Sequence, residues 1–158
     1  MKSLIFKLAM TFIVLGAAFY GISALATDND ATEQGYVALI IVDQHDVILF
    51  DEDLVYYKGD TFFDVLNRHF ELTCANGQYQ EDLTCTYAFH MVQSSEKVIL
   101  NIKGETFEIN TNWSDTFIAF EYYEGDSYRL YSQGVMHLSF TDKEQVRIRV
   151  TAVNQGSS

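Results

Sequence analysis

The positions of apolar and polar residues predict one helix among many strands. Gly59 to Phe70, GDTFFDVLNRHF, places Phe63, Leu66 and Phe70 at i, i+3 and i+7, with Phe62 and Val65 widening the stripe and Asn67 and Arg68 opposite. Thr61 and Asp64 stand in the relation of a capping box, and Asp60 adds negative charge at the positive end of the helix dipole. Upstream, Tyr36–Val42 and Val47–Phe50 are β-branched, apolar runs around the polar turn Asp43–Asp46, the pattern of a hairpin. Leu54–Tyr57 extends the second strand beyond Asp51-Glu52-Asp53, an expected acidic kink.

Downstream of the helix the period changes from 3.6 to 2. Strands are expected at Cys85–Val92, Lys97–Ile102, Glu105–Ile109, Thr116–Tyr123, Tyr128–Tyr131 and Val135–Phe140. Gln93–Glu96, Lys103-Gly104, Glu124–Ser127 and Ser132–Gly134 read as the turns between them. In the last strand Val146, Ile148, Val150 and Ala152 alternate with Arg147, Arg149 and Thr151, so one face is buried. A hairpin, one helix and a long run of strands define an α+β domain with the helix laid across a mixed sheet.

The first 26 residues differ from the rest. Lys2 and Lys7 precede an apolar run from Leu8 to Ala26 that ends in Ala-Leu-Ala before Thr27-Asp28-Asn29-Asp30, the order of a secretory signal peptide. The run also comes close to the roughly 20 residues that span a bilayer, so an uncleaved membrane anchor is the other reading. Both export the remainder: a flexible lead over 27–35, one domain over 36–153 and a tail over 154–158. Eight Lys and Arg face 22 Asp and Glu in this exported part, a formal charge of −14 once Lys2 and Lys7 are set aside. Such a surface repels nucleic-acid phosphates, which excludes that class of partner. In an oxidising compartment Cys74 and Cys85, the two cysteines of the chain, are expected to pair around the Asn76-Gly77 turn.

Candidate chemistry is sparse. No G-x-S-x-G elbow occurs, and the four histidines, at 45, 69, 90 and 137, lack metal-ligand spacing. The residues therefore point to no catalytic set, no metal and no cofactor. Asn112-Trp113-Ser114 matches the N-glycosylation acceptor pattern. The aromatic residues Trp113, Tyr122, Tyr123, Tyr128 and Tyr131 gather around one expected strand pair, where amphipathic rings suit a binding surface. Packing of a small β-rich core and its rim is the alternative use of the same rings.

In order along the chain, the leading hairpin, Gly59–Leu66, Val98–Gly104, Asn112-Trp113 with Phe117–Tyr122, and Gly134-Val135 before a closing amphipathic strand resemble the transcobalamin-like C-terminal domain of exported bacterial proteins. The resemblance spans Tyr36 to Val153. It implies a β-grasp-like sheet with one helix, and a binding rather than a catalytic role. In vertebrate cobalamin carriers the related domain covers one face of the corrinoid. The expected partner is accordingly a small molecule, corrinoid-like or otherwise, or a membrane partner such as a transporter. A structural or adhesive domain that binds cell-surface protein through a sheet edge is the alternative. Where the family carries Val-Asn-Gly after its aromatic strand, this chain has Tyr123-Glu124-Gly125.

Overall fold

A computed structural model describes residues 33–90, 94–112 and 114–153. The expected signal or anchor, most of the lead, Trp113 and the tail at 154–158 lie outside the described residues. The chain forms β1 (Glu33–Val42), β2 (Ile48–Tyr57), α1 (Phe62–His69), β3 (Glu71–Ala75), β4 (Glu81–Asp82), β5 (Phe89–His90), β6 (Ser95–Glu96), β7 (Ile99–Lys103), β8 (Glu108–Asn110), β9 (Thr116–Glu124), β10 (Ser127–Leu130) and β11 (Val146–Ala152). This is the α+β class expected.

The larger sheet has five strands in the order β10-β9-β11-β1-β2. Its central pair, β1 and β11, runs parallel with Leu39 beside Val146 and Ile41 beside Ile148. An antiparallel hairpin flanks each side, β1 with β2 and β9 with β10, while β9 is also antiparallel to β11. A second sheet has the order β4-β3-β7-β8, and β5 pairs with β6 alone.

The helix begins as its sequence dictates. Thr61 Oγ1 accepts from the Asp64 N–H, and the Asp64 carboxylate accepts from the Thr61 N–H at 2.9 Å, closing the capping box. Asp60 fixes the approach from β2: it accepts the Tyr57 N–H and pairs with Arg68, whose guanidinium lies 4.6 Å from the Tyr57 ring centroid. Phe62, Phe63, Val65 and Leu66 are buried beneath the sheet with Leu39, Ile41, Val146 and Ile148. Phe62 lies edge-on to Phe120 with centroids 6.2 Å apart, and 5.5 Å from Phe140. A satellite cluster of Phe50, Phe70 and Phe107 closes the other end of the helix.

Several expectations need correction. β1 starts at Glu33, inside the stretch read as a lead, because Glu33 and Gly35 find partners in Tyr57 and Tyr56 of β2, with a register shift between them. Asp51-Glu52-Asp53 does not kink β2; all three residues pair with β1 and are exposed. Glu52 lies opposite the buried Leu39, so this edge strand carries a charge on its core-facing side, a device that discourages further strand addition. Of Cys85–Val92 only Phe89–His90 is strand among the described residues, and the strand expected at Glu105–Ile109 forms over Glu108–Asn110. Val135–Phe140 is no strand: Val135, Leu138 and Phe140 are buried from successive turns, satisfying hydrophobicity without a ladder.

Cys74 and Cys85 form the expected disulfide, with Cα atoms 5.0 Å apart and both residues buried. The bridge ties β3 to the irregular segment ahead of β5, which has few backbone bonds of its own. The double variant C74A/C85A is expected to lose about 3 kcal/mol of unfolding free energy in urea titration, the loop-entropy scale for such a closure. An unchanged midpoint with the native slope would contradict this structural role.

Candidate functional site

A groove of about 860 Å³ opens between β9 and the segment from Ser94 to Ile99, with residues 130–137 forming its third side. Its walls are largely apolar, including Val98, Phe117, Ile118, Leu130 and Val135. The size is within the roughly 300–1,000 Å³ usual for ligand clefts.

The groove exists because β10 is shorter than β9. Leu130 is opposite Glu121, and the Tyr131 N–H donates to the Phe120 carbonyl, after which the chain turns away. From Phe120 back to Thr116, β9 is therefore paired only with β11 among the described residues. Odd-numbered residues of β9 bond toward β11, as shown by the Tyr123 N–H on Gln145 and the Val153 N–H on Asp115. Even-numbered residues point their backbone groups the other way. Thr116 is met by Asn112 and Thr111, and the Phe120 carbonyl by Tyr131. The N–H and C=O of Ile118 are left facing the groove.

Glu96 is the polar feature of this cavity. It is 7% exposed, and its Oε2 accepts the Met136 N–H at 3.2 Å. Its other oxygen, Oε1, receives no hydrogen bond; the His137 Nε2 stands 3.3 Å away, within ion-pair range but without the alignment of a donor. Gly134 makes room for the carboxylate. Its φ is +74°, a conformation that favours glycine, and a Cβ there would lie 2.5 Å from Glu96 Oε2, so a larger residue would be strained and would displace the carboxylate. Tyr131 steadies the His137 segment by donating its hydroxyl to the His137 carbonyl. Lys97 also lines the groove, but its ammonium donates to the Cys85 carbonyl and lies 4.5 Å from the Phe63 ring centroid. Burial raises the Glu96 carboxyl above the ordinary carboxylate range, opposed by the Met136 N–H and by His137.

The aromatic residues singled out from sequence are divided between two faces. Tyr122 shares the core-side parity of Phe120 and lies 6.2 Å from the Tyr131 ring. Tyr123 and Tyr128 are directly opposite one another on the other face, 5.3 Å apart. There Arg147 stacks 3.7 Å from the Tyr128 ring centroid and pairs with Glu121 at 2.6 Å, while the Tyr128 hydroxyl donates to Gln145. Of the described tyrosines in the set, Tyr131 alone lines the groove. Trp113 is outside the described residues. Glu96 and His137 are not legible as a pair in the sequence, since one lies on the short strand β6 and the other in a turn 41 residues further on, and neither has a local pattern. The one local signal was Gly134, within a turn.

No group of three or more His, Cys, Asp or Glu able to hold a metal ion occurs among the described residues. Compared with protein-family models, curated proteins and solved structures, the chain finds no significant match in any of the three.

A raised carboxyl pKa has a definite consequence for stability. The folded state holds the Glu96 proton to higher pH than the unfolded chain, so this contribution is present below the ordinary carboxylate range and is lost as pH rises through the elevated value. The E96Q variant keeps the acceptor for Met136 and removes the charge. Its melting temperature is expected to match that of the wild type in acid and to exceed it by a few degrees at neutral pH. A variant less stable than the wild type at neutral pH would show that the carboxylate is well compensated.

Proposed function

We propose that this chain is a non-catalytic, extracytoplasmic binding module of the transcobalamin-like C-terminal domain kind, and that its ligand occupies the groove between β9 and Ser94–Ile99. The observation that carries the reading is Glu96: a buried carboxylate with one unsatisfied oxygen, on the wall of an open, mostly apolar cleft, is costly to stability and useful for recognition. Neither the Glu96 carboxylate nor the His137 ring has a hydroxyl or thiol hydrogen-bonded to it among the described contacts, the Tyr131 hydroxyl being on the His137 backbone carbonyl, so binding is favoured over covalent catalysis.

The strand order supports reading the larger sheet as β-grasp-like, with a central parallel pair, a hairpin on either side and one helix across a face. The buried disulfide is consistent with an oxidising compartment. In this reading residues 1–26 either direct secretion or tether the domain to the membrane, and the ligand is a small molecule delivered to, or received from, a membrane partner.

A thermal-shift panel of corrinoids, amino-acid amides and short peptides tests the reading. At 100 times its Kd a groove ligand adds about 2.7 kcal/mol to stability. At least one panel member is expected to raise the melting temperature, with the shift lost in Ser132→Trp, which places an indole at the groove mouth. If nothing shifts the transition while a cell-surface protein binds wild type and Ser132→Trp alike, the adhesive alternative replaces this one.

A further inference from the structure

We propose that the groove binds a short, extended peptide that carries a lysine or arginine: its backbone bridges Ile118 and its cationic side chain pairs with Glu96. The inference rests on the reading of the groove as the ligand site and names the ligand's chemistry.

Three independent features converge on it. The first is charge. Glu96 is more than nine-tenths buried, and its Oε1 lacks a hydrogen-bond donor. The cationic side chains that line the groove are committed elsewhere or conditional. Lys97 is held by the Cys85 carbonyl and the Phe63 ring, and His137 is a cation only when protonated. An incoming ammonium or guanidinium would supply the missing donor and the missing charge together, forming the stronger, charge-assisted kind of hydrogen bond. The formal charge of −14 on Thr27–Ser158 draws basic ligands toward the domain at longer range.

The second feature is the strand edge. The N–H and C=O of Ile118 point into the groove from a residue that is itself buried, and no described strand pairs with them. A peptide residue placed antiparallel beside Ile118 would satisfy both groups through one narrow bridge. The open stretch is bounded by the Thr111–Thr116 contacts at one end and the Tyr131–Phe120 hydrogen bond at the other, so it admits a few residues and not a long strand. No charge lies on the core-facing side of β9 from Thr116 to Tyr122, in contrast to Glu52 on the β2 edge.

The third is the wall between these two anchors. Val98, Leu130 and Val135 are apolar, which suits the aliphatic stem of a lysine or arginine whose head must reach a buried acid. A small cation without amide groups would use the carboxylate and leave the edge unpaired. A neutral peptide would use the edge and leave the carboxylate unpaired.

Selection of a displayed random heptapeptide library against the disulfide-bonded wild-type domain tests the proposal without prior choice of sequence. Enriched peptides are expected to share one Lys or Arg position flanked by apolar or β-branched residues. Their synthetic versions should bind E96Q at least tenfold more weakly than wild type, and N-methylation of the amide that faces Ile118 should also weaken binding at least tenfold. Enriched peptides without a basic position, or with equal affinity for E96Q, would overturn the inference while leaving a binding groove in place. Equal affinity for n-butylguanidinium alone would overturn the peptide part. No enrichment, together with no shift in the ligand panel, would bring down the inference and the binding-module reading at once.

Discussion

The parallel pairing of β1 with β11 is the constraint on which the rest of this fold depends. The two strands are the first and last of the described domain, yet they sit side by side at the centre of the sheet. A parallel pair cannot be closed by a tight turn, so everything between them must leave the sheet and return. The helix takes the first part of this crossover and covers the face built from Leu39, Ile41, Val146 and Ile148. The second sheet, with its disulfide, and the β9–β10 hairpin take the remainder. Because β11 is enclosed by β1 and β9, the backbone left open along this side among the described residues is the outer edge of β10 and the part of β9 beyond the reach of that short strand.

The groove follows from that shortness, and its electrostatics follow from what fills the adjoining space. Residues 94–99 approach the uncovered half of β9, bringing Glu96 inward, and the 131–137 turns provide Met136, His137 and the glycine at 134 around it. One backbone donor and one imidazole out of hydrogen-bond alignment are poor compensation for burying a carboxylate, whose transfer from water is costly unless it is paired. An apolar residue at position 96 would pack there at lower cost. The cost of burying the carboxylate is the physical basis of the binding role proposed for the groove.

Much of the scaffold was legible in the sequence. The capping box of Thr61 and Asp64, the stripe Phe62 to Phe70 and the alternation Val146 to Val150 each carry their meaning within a few residues, and each formed as expected, while Ala152 at the end of β11 is exposed. The Cys74–Cys85 bridge was legible for another reason, since a chain with two cysteines allows one intramolecular pairing. Val135–Phe140 misled because a strand period and a series of buried turns both place apolar residues at close, irregular spacing. Asp51–Asp53 misled because three acids suggest a break, whereas an exposed edge strand tolerates them.

The candidate site was less legible, because it is made by meetings between distant segments. Tyr122 and Tyr123 look like one patch in the sequence, but adjacent strand residues must face opposite ways, and their partners Tyr131 and Tyr128 are divided accordingly. Glu96 lay in a stretch that reads as a polar turn, where an acid is ordinary; only the positions of Met136, His137 and Gly134 make it unusual. The most direct test is to follow the Glu96 side-chain carboxyl by ¹³C NMR across an acid-to-neutral titration of the free, disulfide-bonded domain. A midpoint above the ordinary carboxylate range is the predicted result, and a midpoint at or below that range would contradict the account of Glu96 as a buried, under-compensated recognition group.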